Sequence, residues 1–394
     1  MPTSPSKARI GVPPLAIYVH WPFCAAKCPY CDFNSHVREG VDQERWARAL
    51  VRELEHYAEL IGGRTVTSIF FGGGTPSLMA PATVAAVMAA IKKCWRLEPT
   101  AEITLEANPT SAEAARFEEL ATIGINRLSL GVQALNDADL SALGRWHSVA
   151  EAMEAFRAAQ DPFSRTSFDL IYGREGQSSE DWRQELKRAL SLAVGHLSLY
   201  QLTIEPGTAF FREHREGRLR LPGDDTGARM LEDTWHLCAD HGYDPYELSN
   251  FAIPGQECRH NLAYWRYDEY VGVGPGAHGR LRIGSDLVAT AQRRSPDGWL
   301  GDVEAVGHGT EIREVIAAAD RATECLIMGL RTREGVSEAR FADAIGRPLD
   351  QQLSAVKISA LVDQGLLVHG RGVLRATRRG WSLLDTVITE LMPG

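Results

Sequence analysis

From residue 15 to about residue 202, short apolar runs alternate with longer stretches in which apolar positions recur at a helical period. Leu15–His20, Val66–Phe71, Glu102–Glu106, Arg127–Leu130, Thr166–Ile171 and His196–Leu202 read as strands. The stretches between them, Asp42–Leu60, Pro81–Trp95, Ser111–Thr122, Ser148–Gln160 and Ser179–Leu192, read as helices, several opening on a capping residue or a proline. Six strands alternating with helices predict a parallel sheet with right-handed crossovers. The expected fold class is α/β, a partial (β/α)6 TIM-like barrel, with its site at the C-terminal ends of the strands.

The rhythm breaks after Thr203. Gly, Pro and charged residues crowd Glu205 to Asp225, a helix is expected over Gly227–His241, and a stretch rich in Tyr, Gly and His runs from Tyr243 to Gly279. Residues 280–312 read as an irregular linker. From Ala319 onward helices precede two short strands around Gly372, the pattern of a small winged-helix-like module. The expected division is a short tail at 1–14, the barrel core at 15–242, a segment at 243–312 and a winged-helix-like C-terminal domain at 313–394.

Composition narrows the partners. The 394 residues carry 42 Lys+Arg against 51 Asp+Glu, a net charge of −9 that argues against bulk attraction to nucleic acid or anionic membrane. A local basic patch at Arg371, Arg375, Arg378 and Arg379 keeps nucleic-acid binding by the tail as a minor alternative. The apolar runs are far too short to span a bilayer, which leaves only peripheral membrane association open. Met1 to Lys7 contain no apolar segment, so a cytoplasmic protein is expected.

Seven cysteines are unevenly placed. Cys24, Cys28 and Cys31 follow the first strand with C-x3-C-x2-C spacing, while Cys94, Cys238, Cys258 and Cys325 are scattered and read as buried small hydrophobes. Three thiolates on one tight loop can hold three corners of a 4Fe–4S cluster and leave one iron open. The competing reading is a zinc knuckle completed by His20 or His36, although zinc sites favour paired C-x2-C halves. Polar residues also recur where the strands end: Gly73, Gly74 and Thr75 after the second, Glu106 at the third, Gln133 past the fourth and Asp169 at the fifth. In a barrel such positions line the site.

The cysteine spacing after a first strand resembles the radical S-adenosylmethionine (SAM) superfamily, and the whole chain resembles its branch of oxygen-independent coproporphyrinogen III dehydrogenases and HemW-type heme chaperones. The resemblance implies a radical SAM barrel, a 4Fe–4S cluster on Cys24, Cys28 and Cys31, and SAM on its open iron. It further implies Tyr18, Gly73 and Glu106 as contacts to that SAM, and Tyr30, Gly74, Thr75, Gln133, Arg145 and Asp169 as contacts around a second one. Dehydrogenases typically carry a fourth cysteine where this chain has Phe33, and a long N-terminal extension, so the likeness is stronger to the chaperones. His260, Asn261, Tyr264 and Trp265 match the chaperones' H-N-x-x-Y-W run, implying heme binding, with Arg259 or Arg266 available to a propionate. The blander reading of that run is loop packing against the barrel. Where relatives usually have Gly-Leu-Pro-Gly-Gln, this chain has Gly173-Arg174-Glu175-Gly176-Gln177, two charges close to the expected site. The implied function is transfer of heme to acceptors such as respiratory-chain heme proteins; the enzymatic alternative is coproporphyrinogen III decarboxylation by a radical mechanism.

Overall fold

The computed structural model describes residues 14–392, so all but Pro14 of the expected tail lies outside the described residues. Six parallel strands form the centre of the molecule: β1 Leu15–Trp21, β2 Thr65–Gly73, β3 Arg96–Ala107, β4 Arg127–Gln133, β5 Arg165–Tyr172 and β6 Gly195–Gln201, neighbours in that order. Between them run α1 Gln43–Ile61, α2 Pro81–Cys94, α3 Phe117–Ile123, α4 Val149–Gln160 and α5 Ser179–Leu192. Ser148 and Ser178 open α4 and α5 with reciprocal capping boxes, each contributing about 1 kcal/mol. The helix expected over Ser111–Thr122 is split: a single turn, Ser111–Ala114, precedes α3.

Alternation along the strands divides the sheet into two chemically distinct faces. Leu15, Ile17, Val19 and Trp21 of β1 join one apolar core with Leu50 and Leu54 of α1, whereas Tyr18 and His20 point the other way. That other face is polar and yet mostly buried, with Ser68, Glu102, Thr104, Arg127, Ser129, Ser167 and His196 on it. Glu102 is ion-paired to Arg165, and Arg127 donates to Ser167 Oγ at 2.9 Å, which satisfies charges that burial would otherwise make costly.

Beyond β6 the chain continues through α6 Asp224–Asp240, β7 Asn250–Ala252, α7 Arg259–Trp265, β8 Tyr270–Val273, β9 His278–Ile283, β10 Asp286–Gln292, α8 Pro296–Val306, β11 Thr310–Val315 and α9 Ala318–Leu330. β8 joins β1 in parallel, and β9, β10 and β11 extend that side antiparallel. β7 and the two-residue strand Asp244–Pro245 form the other edge, so the sheet is open rather than a closed barrel. This corrects the expectation of an irregular linker at 280–312. Charged residues and glycine interrupt the apolar positions of β9 and β11, so these strands lack a continuous apolar signal.

Glu53 of α1, 0% exposed, fastens this extension. Its carboxylate accepts from Gly274 N at 2.7 Å, Gly309 N at 2.7 Å and Trp299 Nε1 at 3.0 Å. Burial pushes the carboxyl up to about 7 against the opposing pull of these donors.

α7 closes the sheet's polar face at the N-terminal ends of the strands. His260 is 1% exposed; its Nδ1 hydrogen-bonds with Ser68 Oγ at 3.0 Å and its Nε2 with Tyr264 OH at 2.7 Å, while Phe70 stacks on the ring. Burial lowers its pKa to about 3, so the imidazole is neutral in the fold.

The C-terminal module pairs Val336–Ser337, Val373–Ala376 and Leu367–Gly370 into a three-stranded antiparallel sheet beside helices Glu338–Ile345 and Ala355–Asp363, with Arg371 and Gly372 at the tip of the wing. The four tail arginines are exposed. Trp381 Nε1 donates to Leu330 O of α9 at 3.0 Å, and Tyr267 OH, just before β8, donates to Glu324 of the same helix at 2.6 Å, so α9 links the module to the sheet.

Two outcomes follow for the metal-free chain under reducing conditions. Glu53→Ala strips the acceptor from two backbone N–H groups and an indole, and should cost about 3 kcal/mol or more in urea unfolding. His260 takes up a proton in the unfolded chain below about pH 6.5 but in the folded chain only near pH 3, so stability falls as pH drops through that window. Between pH 7 and pH 5 this amounts to about 2 kcal/mol, and His260→Phe should flatten that part of the pH dependence while lowering stability at pH 7.

Candidate functional site

The cysteine loop is closed at its root by the backbone. Phe23 and Cys24 pair in parallel with His36 and Val37, and His36 N donates to Pro22 O at 2.7 Å. The turn after β2 locks against this root, with Gly74 N donating to Trp21 O at 2.7 Å and Thr75 N to Phe23 O at 2.9 Å. A Cβ on Gly74 would lie 2.7 Å from Phe23 O and 3.0 Å from Cys24 Sγ, so this position requires glycine for close approach. His20 hydrogen-bonds with Asn34 O at 3.0 Å, and Asn34 Nδ2 donates to Pro275 O and Arg294 O, both at 2.9 Å. The loop is thus tied to β1 on one side and to the β8–β10 extension on the other.

Cys24, Cys28 and Cys31 all line one cavity of about 740 Å³ at the C-terminal ends of the strands. All three thiols are free of disulfides. Thr75 Oγ1 donates to Cys24 Sγ at 3.4 Å, and burial pushes that thiol up. Arg145 Nη1 lies 3.5 Å from Cys28 Sγ, while Nη2 donates to Asn108 Oδ1 at 2.6 Å and Gly131 O at 2.8 Å, so the guanidinium is held in place. Among the described residues no three His, Cys, Asp or Glu groups surround a single-ion position. Three separate thiols facing a common space suit the corners of a multi-iron cluster, and the adjacent Arg145 suits thiolate charge.

Of the residues singled out in the sequence, Tyr30, Gly73, Gly74, Thr75, Glu106, Gln133, Arg145 and Asp169 line the same cavity. Desolvation pushes Glu106 up to about 8, with the Asp169 charge adding to it and a Gly73 N–H opposing. Asp169 rises to about 6 for the same first reason, opposed by hydrogen bonds from Ser198 and Ser129. Gln133 has φ 73°, a left-handed conformation that a non-glycine residue adopts at some cost. Tyr18 is not on that lining; its hydroxyl hydrogen-bonds with His20 Nδ1 at 3.1 Å, and its ring packs beside the stacked Phe70 and His260.

The His260–Trp265 run is also not brought to the cavity. His260 has both ring nitrogens occupied, Asn261 Nδ2 donates to Tyr246 OH at 3.2 Å, and Arg331 stacks on Trp265. As placed, this imidazole has both ring nitrogens engaged inside the fold. Arg266 is paired with Glu334, and Arg259, exposed, donates to Thr100 O at 2.8 Å. Cys258 sits in the same floor, donating to Glu102 at 3.3 Å. Arg174 does not reach the cavity either; it is buried in an ion cluster with Glu185 at 2.6 Å and Asp139 at 3.0 Å, a local replacement for apolar packing.

Other lining residues went unseen in the sequence. Asn108 orients Arg145, Trp146 stands at the mouth, and Arg331, Trp381 and Ser382 supply a wall from the C-terminal part of the chain. Only Asn108 had a local signal, its place just past the β3 end before a proline; the distant wall residues had none.

Residues 18–189 match the radical SAM superfamily, and residues 316–383 match the HemN C-terminal domain. The bovine protein named radical S-adenosyl methionine domain-containing protein 1, mitochondrial, is 38% identical over 98% of this chain and 89% of its own length. Heme chaperone HemW of Escherichia coli K12 is 35% identical over 96% of this chain and 98% of its own length. Among solved structures, coproporphyrinogen III oxidase (HemN) from Escherichia coli superposes with a TM-score of 0.80 over 96% of this chain and 90% of that one, at 22% identity, a likeness of fold. No helix among the described residues is long and apolar enough to cross a membrane. Near-full-length identity above 30% to these relatives, on a chain with the matching cysteine loop and open sheet, means that the protein belongs to the radical SAM superfamily, in the family that includes the heme chaperone HemW.

Proposed function

We propose that the chain is a heme chaperone carrying a SAM-ligated 4Fe–4S cluster, and that it passes heme to acceptor proteins. The observation that carries the reading is the cysteine loop itself. It offers three thiols to one cavity, and Phe33, 60% exposed at the rim, occupies the place where the dehydrogenases carry a further cysteine. The name of the relatives supports the heme part, and the donor set supports the cluster.

Cys24, Cys28 and Cys31 would hold the cluster, which supplies an open iron coordination position and an electron when bound. Gly73 and Glu106 would hold the methionyl group of SAM. A cationic ligand beside Glu106 favours its carboxylate and offsets the desolvation that now raises its pKa. Arg145, fixed by Asn108 and Gly131, would balance thiolate charge at Cys28. Tyr18 acts through His20, whose bond to Asn34 O steadies the loop.

Anaerobic reconstitution of the wild type should yield close to four irons per chain. Cys24→Ala, Cys28→Ala and Cys31→Ala should each lose most of that iron, and retention of full iron by any of them rules out the three-thiol cluster. Titration of the reconstituted wild type with heme should develop a saturable Soret band; a protein that stays spectrally unchanged is not a heme chaperone. Anaerobic incubation with a reductant, SAM and coproporphyrinogen III should yield no protoporphyrinogen, whereas substantial turnover would favour the decarboxylating enzyme.

A further inference from the structure

Two of the three thiols meet a donor from outside the cysteine loop. Thr75 Oγ1, after β2, donates to Cys24 Sγ at 3.4 Å, and Arg145 Nη1, past β4, lies 3.5 Å from Cys28 Sγ. Both donors converge on one side chain, the amide of Asn108. Its Oδ1 accepts from Arg145 Nη2 at 2.6 Å, and its Nδ2 donates to Thr75 Oγ1 at 3.3 Å.

This arrangement fixes the direction of every bond in it. A guanidinium can only donate, so the amide oxygen must face Arg145 and the amide nitrogen Thr75. The Thr75 hydroxyl has a single hydrogen. With its oxygen accepting from Asn108, that hydrogen is left for Cys24 Sγ. An ionised carboxylate in place of the amide could accept from Arg145 but could not donate to Thr75. An aliphatic side chain could do neither.

The amide is itself held. Asn108 directly follows β3 and precedes Pro109; its N donates to Glu113 Oε2 at 2.8 Å and its O accepts from Thr110 N at 2.9 Å. Glu113, buried, also accepts from Ser77 Oγ, from Thr110 Oγ1 and from the Asn108 side chain. Thr75 N is tied to Phe23 O at 2.9 Å, and Arg145 Nη2 donates to Gly131 O at 2.8 Å as well. The donors are therefore set before any cofactor arrives, as partners that tune a metal centre must be.

The consequence rests on the cluster part of the proposed function. A cluster on three thiolates that takes one electron from an external donor gains negative charge beside Cys24 and Cys28. Oriented donors at its sulfurs stabilise that reduced form more than the oxidised one. We infer that Asn108 is a positioning residue for the cluster: it aims the Thr75 hydroxyl at Cys24 and the Arg145 guanidinium at Cys28, and through them makes the cluster easier to reduce. Among the described residues the hydrogen bonds of Asn108 go to Arg145, Thr75, Thr110 and Glu113 and none to a thiol, so the three-thiol ligation survives its replacement.

The test uses the full chain, reconstituted anaerobically without SAM. Iron content is measured for each variant, and the cluster is titrated with dithionite in the presence of redox mediators while the electron paramagnetic resonance signal of the reduced form is followed. Asn108→Leu should keep the wild-type iron content and make reduction about tenfold less favourable, a downward shift of about 59 mV for a one-electron couple. Thr75→Val should shift the potential in the same direction by less. The double variant should lie within about twofold of Asn108→Leu alone, because the Thr75 donor acts under the control of Asn108. An unchanged potential in Asn108→Leu at full iron overturns the inference, and so does a double variant whose shift is the sum of the two single ones. Asn108→Ala serves as a second variant in case leucine crowds the site. Loss of iron in both also overturns the inference, because Asn108 would then be a support of the loop rather than a tuner of the cluster. A wild type that binds no iron would instead remove the cluster reading itself.

Discussion

A loop can direct three thiols at one space only if its own backbone is held from outside. Here the holding is done by hydrogen bonds at the root of the loop, where Trp21, Pro22 and Phe23 carbonyls receive N–H groups from Gly74, His36 and Thr75. Asn34 then ties the far side of the loop to Pro275 and Arg294. Those two carbonyls belong to the antiparallel extension that Glu53 fastens to α1. The site is therefore supported by elements from three distant parts of the chain, and geometry at the thiols depends on a carboxylate that never touches them.

The alternation of β1–β6 with α1–α5 was legible because each element is long enough to show its period, and the caps at Ser148 and Ser178 mark helix starts plainly. Of the cavity residues, Cys24, Cys28, Cys31, Gly73, Gly74, Thr75, Glu106, Gln133 and Asp169 were legible because chemistry in such folds gathers at strand ends, whereas Tyr30 and Arg145 came only with the family resemblance. The β9–β10 hairpin was not legible, since its strands mix charged, glycine and small residues and carry too weak an alternation. The burial of His260 was not legible either. A histidine on a short helix reads the same whether it faces solvent or is buried, and only Ser68, almost two hundred positions earlier, decides the matter.

The polar face of the sheet shows a second constraint. Arg127, Glu102, Arg165 and His196 lie where an ordinary barrel would be filled with aliphatic side chains. Such a network is tolerated because its members are paired, and it makes the fold sensitive to acid through neutral buried histidines. Burial raises the Glu106 and Asp169 carboxyls at the cavity, and Arg127 of this network opposes that rise.

Trp381 and Ser382 wall the same space as Cys24, so one side of the cavity comes from nearly the last part of the chain and the other from nearly the first. Synthesis runs from the N-terminus, and the sheet can gather as a unit before the final module exists. Until that module is in place the sheet end around the three thiols lacks one of its walls, so the last part of the chain sets how wide the finished opening is.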